Sequence, residues 1–311
     1  TADSDIDLPE AWEITKGNTE VIVCIEDGGI NYTHGDIAAN MWSGIGYNFV
    51  NNSPNVSAHD HGTHVAGTVA AVSNNAVGVA GVAGGDGSGN GVRLMSCQVF
   101  TNGGSGGFEN APIWAADNGA AISQNSWQYT SPNSYDQSVL DAIDYFNVNG
   151  GGEALVDGGI TIFAAGNNDS QSQYYPAFYS GTFSVAGLTN QDKKAWYSNY
   201  GDWVEVAAPG GETDNVAARG VLSTLPNNTY GFYQGTSMAC PHVSGLAALI
   251  VSLAYGQFTP QQVGDIIKNT TDNVDALNPG FVGQLGTGRI NAFAALSEAQ
   301  ELMINVDNPL A

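Results

Sequence analysis

The strongest constraint on this chain is an alternation. Six short apolar or β-branched runs read as strands: "EVIVCIED" (20–27), "VRLMSCQVF" (92–100), "GAAISQNSW" (119–127), "GITIFAAGN" (159–167), "TFSVAGL" (182–188) and "WVEVAAPG" (203–210). Helical patterns lie among and after them at about 62–73, 108–118, 135–147, 236–254 and 259–269. Runs that are apolar on both faces, separated by helices, imply a parallel sheet covered on both sides. The predicted fold class is α/β, doubly wound, with a mainly parallel central sheet flanked by helices on both faces. The 311 residues are read as one domain, 1–311, with those after about 300 as a tail or linker. Ligands of such sheets gather beyond the carboxyl ends of the strands. Asp27, Ser126 and Asn167 all fall at such ends.

Charge removes some function classes. Lys and Arg number 7 against 30 Asp and Glu, a net charge of −23. A surface of that sign repels nucleic acid and anionic lipid, so neither is an expected partner. The nearly apolar run from Val243 to Ala254 is too short to cross a bilayer and reads as a buried helix. Cys24, Cys97 and Cys240 cannot all pair, and their apolar settings make them buried free thiols. No signal-peptide pattern opens the chain, which begins at Thr1, so a leader or pro-segment is expected to have been removed. The acid excess suits a secreted protein in a salty or calcium-containing medium. The Gly-rich stretches 82–91 and 102–108 are loops without the features of a nucleotide cradle, and 147–159 reads as a surface loop.

"HDHGTHVAGT" (59–68) places three histidines and an aspartate within six residues. Histidine is both a common metal ligand and a common general base, so the stretch alone leaves both readings open. Zinc hydrolases set a Glu between their i, i+4 histidines, whereas Gly62 and Thr63 separate His61 from His64. A second stretch, "GTSMACPHVSG" (235–245), puts Ser237 at the start of a long apolar helix. There the unpaired backbone N–H groups and the helix dipole favour a developing oxyanion. Hydrolysis through a serine needs a base, an orienting carboxylate and oxyanion donors. A histidine of the H-G-T-H helix, Asp27 and Asn167 are the candidates.

The chain resembles the subtilases, the subtilisin-like serine peptidases. The likeness runs from "VIVCIEDGGI" through "HGTHVAGTVAA", "NNAVGVAGVA", "NSW", "AAGN" and "GTSMACPHVSGLAAL" to "GTGRINAFAA", with the triad in the order Asp…His…Ser. It implies that Asp27 orients His61, that His61 is the base, that Ser237 attacks, and that Asn167 with the Ser237 N–H holds the oxyanion. His64 and His242 then read as packed histidines, and His59 and His34 as loop or surface residues.

The resemblance further implies a secreted, monomeric endopeptidase acting on protein or peptide substrates. Substrate would pair with edges at Gly104, Ser105 and Gly106 and at Ser126, Trp127 and Gln128. Ala164, Ala165 and Gly166 would wall the primary specificity pocket, with Tyr174 at its floor, turned either inward or out to solvent. Phe108 and Trp127 would line a further apolar subsite. A structural calcium would be held by the Asp36 carboxylate, Asn75 and the carbonyls of Ser73, Val77 and Val79, with one more ligand within "DSDID" (3–7); an Asn-Asn turn without an ion is the alternative. Three positions depart from the family pattern: Glu26 replaces an apolar residue, Gly28 replaces Ser or Thr, and Gln128 replaces glycine. They leave open a catalytically weak or inactive binding module.

Overall fold

The computed structural model describes residues 4–307. In chain order its strands are β1 (Ile22–Gly28), β2 (Met41–Asn48), β3 (Arg93–Thr101), β4 (Gly104–Ser105), β5 (Ile122–Asn125), β6 (Ile160–Ala164), β7 (Phe183–Leu188), β8 (Val206–Pro209), β9 (Val221–Leu225) and β10 (Thr229–Tyr233). The helices are α1 (Leu8–Ala11), α2 (Asp60–Ala70), α3 (Ala111–Asp117), α4 (Gln137–Asn149), α5 (Thr236–Leu253), α6 (Pro260–Asn269) and α7 (Ala292–Asp307). All six predicted strand runs and all five helical patterns are present.

The main sheet has the order β2-β3-β1-β5-β6-β7-β8, and every pairing along it is parallel. β4 adds antiparallel pairing at the end of β3. The chain winds to one side of β1 and then to the other, so the switch point, where a crevice opens, lies at the carboxyl end of β1. Helices α2 and α5 pack on one face, and α3 and α4 on the other. α5 is apolar around its whole circumference and runs through the core, 78 % buried. Cys24, Cys97 and Cys240 are buried and unbridged, as expected.

Some elements had no clear pattern in the sequence. β2 contains Gly44 and Gly46 around Ile45, whose φ is +61°, and its register against β3 slips between Met41 and Gly46. Such a bulged strand shows no period of two. β9 and β10 form a separate hairpin turned at Asn227 and Asn228, both with positive φ. α7 runs to Asp307, through the stretch where a tail was expected to begin. The 147–159 excursion is not a plain surface loop: Ala154 and Leu155 are buried in the main core, and the Gly151 N–H donates to the Ala120 carbonyl.

Candidate active site

Asp27 is 1 % exposed near the end of β1. The first turn of α2 approaches it so closely that a Cβ on Gly62 would stand 1.9 Å from the Gly28 carbonyl oxygen, a spacing only glycine allows. His59 caps the helix, its Nδ1 accepting the His61 N–H at 3.2 Å. His61 Nδ1 then meets both Asp27 oxygens, at 2.7 and 2.8 Å, while the Gly28 N–H donates to Oδ1 at 2.6 Å. Burial of the His61 ring disfavours imidazolium, but the charge and hydrogen bond of Asp27 outweigh it, and the net pKa shift is upward.

Ser237 lies in the first turn of α5. Its hydroxyl donates to the Ser126 carbonyl at 3.2 Å, and the Ser126 hydroxyl donates to the Ser237 carbonyl at 2.8 Å. The first turn of α5 is thus tied to the extension of β5. Asn167 follows β6, and its Oδ1 accepts the Thr236 N–H at 2.9 Å and the Thr236 hydroxyl at 3.0 Å. Fixing Oδ1 this way leaves Nδ2 as the outward donor. A side-chain carbon placed on Gly235 would lie 3.5 Å from Asn167 Nδ2 and 3.6 Å from the Ser237 nitrogen, so the two donors border one space.

The model of the subtilase family matches residues 18–288. The chain belongs to the subtilase family. It is a hydrolase of the subtilisin-like serine peptidase class. It is 34 % identical over 291 residues to a thermophilic serine proteinase of Bacillus sp. strain AK1, covering 92 % of this chain and 64 % of that protein. Thermitase of Thermoactinomyces vulgaris is 34 % identical over 295 residues, 94 % of this chain and 93 % of thermitase. A protease from Pseudoalteromonas arctica superposes with a TM-score of 0.79 at 31 % identity, covering 94 % of each chain. The chain thus spans just under two thirds of the first relative and nearly all of the second.

The remaining histidines of this subtilase separate cleanly. His64 is fully buried, stacks on Tyr233 at 4.6 Å, and shares Nε2 between the Val221 and Gly231 carbonyls. His242 is held by the Met238 carbonyl at 2.8 Å. Burial pushes both down to about 4, so both stay neutral packing groups. His34 and His59 both lie in loops, as expected, but neither is an ordinary surface residue. His34 is fully buried edge-on against Tyr230, because the loop after β1 folds under the β9–β10 hairpin. The His59 ring takes the room beside β1, where a Cβ on Gly28 would come within 2.4 Å of it. A Ser or Thr at position 28 would therefore need the His59 ring to move.

Glu26 points the other way from Asp27, as strand alternation demands. Its carboxyl accepts the Ser123 hydroxyl at 2.8 Å, and its second oxygen is buried without a partner. Burial pushes its pKa up to about 8, against the lowering effect of Ser123.

Residues 126–128 run past the end of β5, and 165–168 past the end of β6. Gly104 and Ser105 are exposed at the β3 edge, followed by a half-buried Gly106. Trp127 packs on Phe108 and Phe163, with its Nε1 on Asn125. Ala164 and Ala165 are buried, and Tyr174 is 8 % exposed, so it does not swing out to solvent. The groups lying against Gly166 are the Gln128 and Asn199 amides.

The loop 73–79 closes on Asp36, which is fully buried. The Asp36 carboxylate accepts from Asn75 Nδ2 at 2.6 Å, from the Val79 N–H at 2.9 Å and from the Tyr230 hydroxyl. Asn75 Oδ1 accepts the Val77 N–H, so the amide meets Asp36 through nitrogen. Among the described residues the carbonyls of Ser73, Val77 and Val79 accept no hydrogen bond, and no three His, Cys, Asp or Glu side chains form a metal cluster. Among the described residues the Asp36 carboxylate has no Lys or Arg partner, and carboxylate and carbonyl oxygens are the donor types calcium takes. Part of "DSDID" lies outside the described residues.

Proposed function

We propose that this subtilase is a secreted, monomeric endopeptidase that hydrolyses extended protein or peptide segments through Asp27, His61 and Ser237. The observation that carries the reading is the close Asp27–His61 pair at the switch point, with His61 on α2, which packs against α5, whose first turn holds Ser237 and borders an aimed Asn167 amide. His61 Nε2 would take the Ser237 proton as Oγ attacks the scissile carbonyl, and then deliver it to the leaving amine. Asp27 holds the ring in the tautomer with Nδ1–H and stabilises the imidazolium. Asn167 Nδ2 and the Ser237 N–H would receive the oxyanion, assisted by the α5 dipole.

Substrate would lie between residues 102–107 and 126–128, pairing through backbone, with Phe108 and Trp127 lining an apolar subsite. Asp36 with the carbonyls of Ser73, Val77 and Val79 would hold a structural calcium that braces α2 against the β9–β10 hairpin. Secretion follows from the family resemblance and the acidic surface.

One observation favours a weak or inactive binding module instead: the Ser237 hydroxyl bonds to Ser126 rather than to His61. Catalytic hydrogen bonds are often long or misaligned until substrate arrives, so this geometry is compatible with turnover. A serine-directed phosphonylating reagent decides. Ser237 is expected to be labelled, with peptide hydrolysis lost in step, and Ser237→Ala to be folded, unlabelled and inactive. Hydrolysis by Ser237→Ala at the wild-type rate, with contaminating protease excluded, sinks the serine mechanism.

A further inference from the structure

One side chain crosses the cleft between the extensions of β5 and β6. The two strands are neighbours in parallel register up to Asn125 and Phe163. The Ser126 carbonyl that accepts the Ser237 hydroxyl stands where this cleft begins. Gln128 reaches across it. Its Nε2 donates to Asn168 Oδ1 at 2.6 Å, and its Oε1 lies where a Cβ on Gly166 would be only 1.8 Å away. That oxygen is buried and has no hydrogen-bond partner.

The opposite wall has little room to retreat. Asn199 holds the Ala165 carbonyl through Nδ2 at 2.8 Å and accepts the Asn168 and Ser170 N–H groups on Oδ1. Thr236 Oγ1 accepts the Gly166 N–H at 3.1 Å. A wall tied at four points cannot widen to admit both the Gln128 amide and a large substrate side chain.

We propose that Gln128, rather than Tyr174, determines which residue this peptidase accepts on the acyl side of the scissile bond, and that it restricts this P1 residue to small side chains. The inference rests on the peptidase reading above. The Gln128 amide occupies volume that an aromatic P1 ring needs. Expelling it would break the bond to Asn168 and expose the wall at Gly166. A small P1 side chain asks for neither.

The test is kcat/KM for matched peptides with Ala or Phe at P1, normalised to active sites titrated with the phosphonylating reagent. Wild type is expected to prefer Ala by about ten- to a hundredfold, the range over which pocket volume discriminates. Gln128→Gly and Gln128→Ala should lose most of that preference by gaining on Phe. Gln128→Met keeps the length without the amide and should retain it. The proposal is overturned by a wild type that cleaves Phe as well as Ala, or by a preference that neither truncation moves. It is overturned equally by a preference that Tyr174→Ala shifts and Gln128→Gly does not. Labelled enzyme with an unmoved preference refutes this inference alone, whereas failure of the wild type to take label refutes the peptidase reading with it.

Discussion

Glu26 and Asp27 are adjacent acids on one strand, each 1 % exposed, yet their surroundings are opposites. Asp27 faces α2 and meets the His61 ring and the Gly28 N–H. Glu26 faces the layer under α3 and α4, where one hydroxyl serves it and its other oxygen is orphaned. The pleat separates them, and the partners on each face differ. Asp27 has a histidine within hydrogen-bond distance. Glu26, lacking one, holds its proton to about pH 8. Two acids that look equivalent in the sequence are the partner of a histidine, proposed above as a triad member, and a neutral core group.

The largest expected effect comes from removing charge on the functional side. Asp27→Asn should lower kcat/KM by about 10⁴-fold, the scale of loss when a triad carboxylate is removed in serine proteases. The reaction needs neutral His61, and Asp27 raises its pKa, so wild-type activity should rise with pH through a value above the usual 6.5. In Asp27→Asn that acid limb should move to lower pH. A pH–rate profile checks both, and an unmoved limb would break the assigned pairing.

A third buried acid, Asp36, extends the comparison, because among the described residues it too has no Lys or Arg in salt-bridge contact. If calcium supplies the missing charge, a chelator should lower the melting temperature. The stabilisation lost is about 2.7 kcal/mol for calcium at a hundred times its Kd. Asp36→Asn should be less stable than wild type and indifferent to the chelator. A wild type that melts identically with and without chelator contradicts the cation assignment.

The smallest effect belongs to Glu26. From pH 4.5 to about 8 the unfolded chain loses this proton while the folded chain keeps it. Folding therefore loses stability as pH rises through that window. Glu26→Gln removes the titration and should raise stability at pH 8 by about 1–3 kcal/mol, with the gain fading toward pH 5. Urea midpoints measured across that range report it. A gain independent of pH would show that Glu26 ionises freely and that the contrast with Asp27 is false.

Much of this molecule was legible in the chain. Apolar runs alternating with helices predicted the parallel sheet, because a strand buried on both faces must be apolar along its length. Asp27, Ser237 and Asn167 could be named because each sits at a strand end or helix start that local patterns mark, whereas His61 was singled out from its helix by the resemblance to the subtilases. β2 was not legible, since the bulge at Ile45 erases its alternation. Nor were the burial of His34 and the packing of His59 on Gly28, which join segments far apart in sequence or separated by a loop.

The sequence by itself determined the order of the elements, the chemistry available at the sheet edge and the sign of the surface, all local or additive properties. Only the tertiary structure decided that Glu26 is neutral, that the Ser237 hydroxyl rests on Ser126, and that Gln128 rather than Tyr174 lies against Gly166. Those outcomes depend on which groups compete for the same few cubic ångströms after packing. Desolvation and steric exclusion act between residues that neighbour each other only in space.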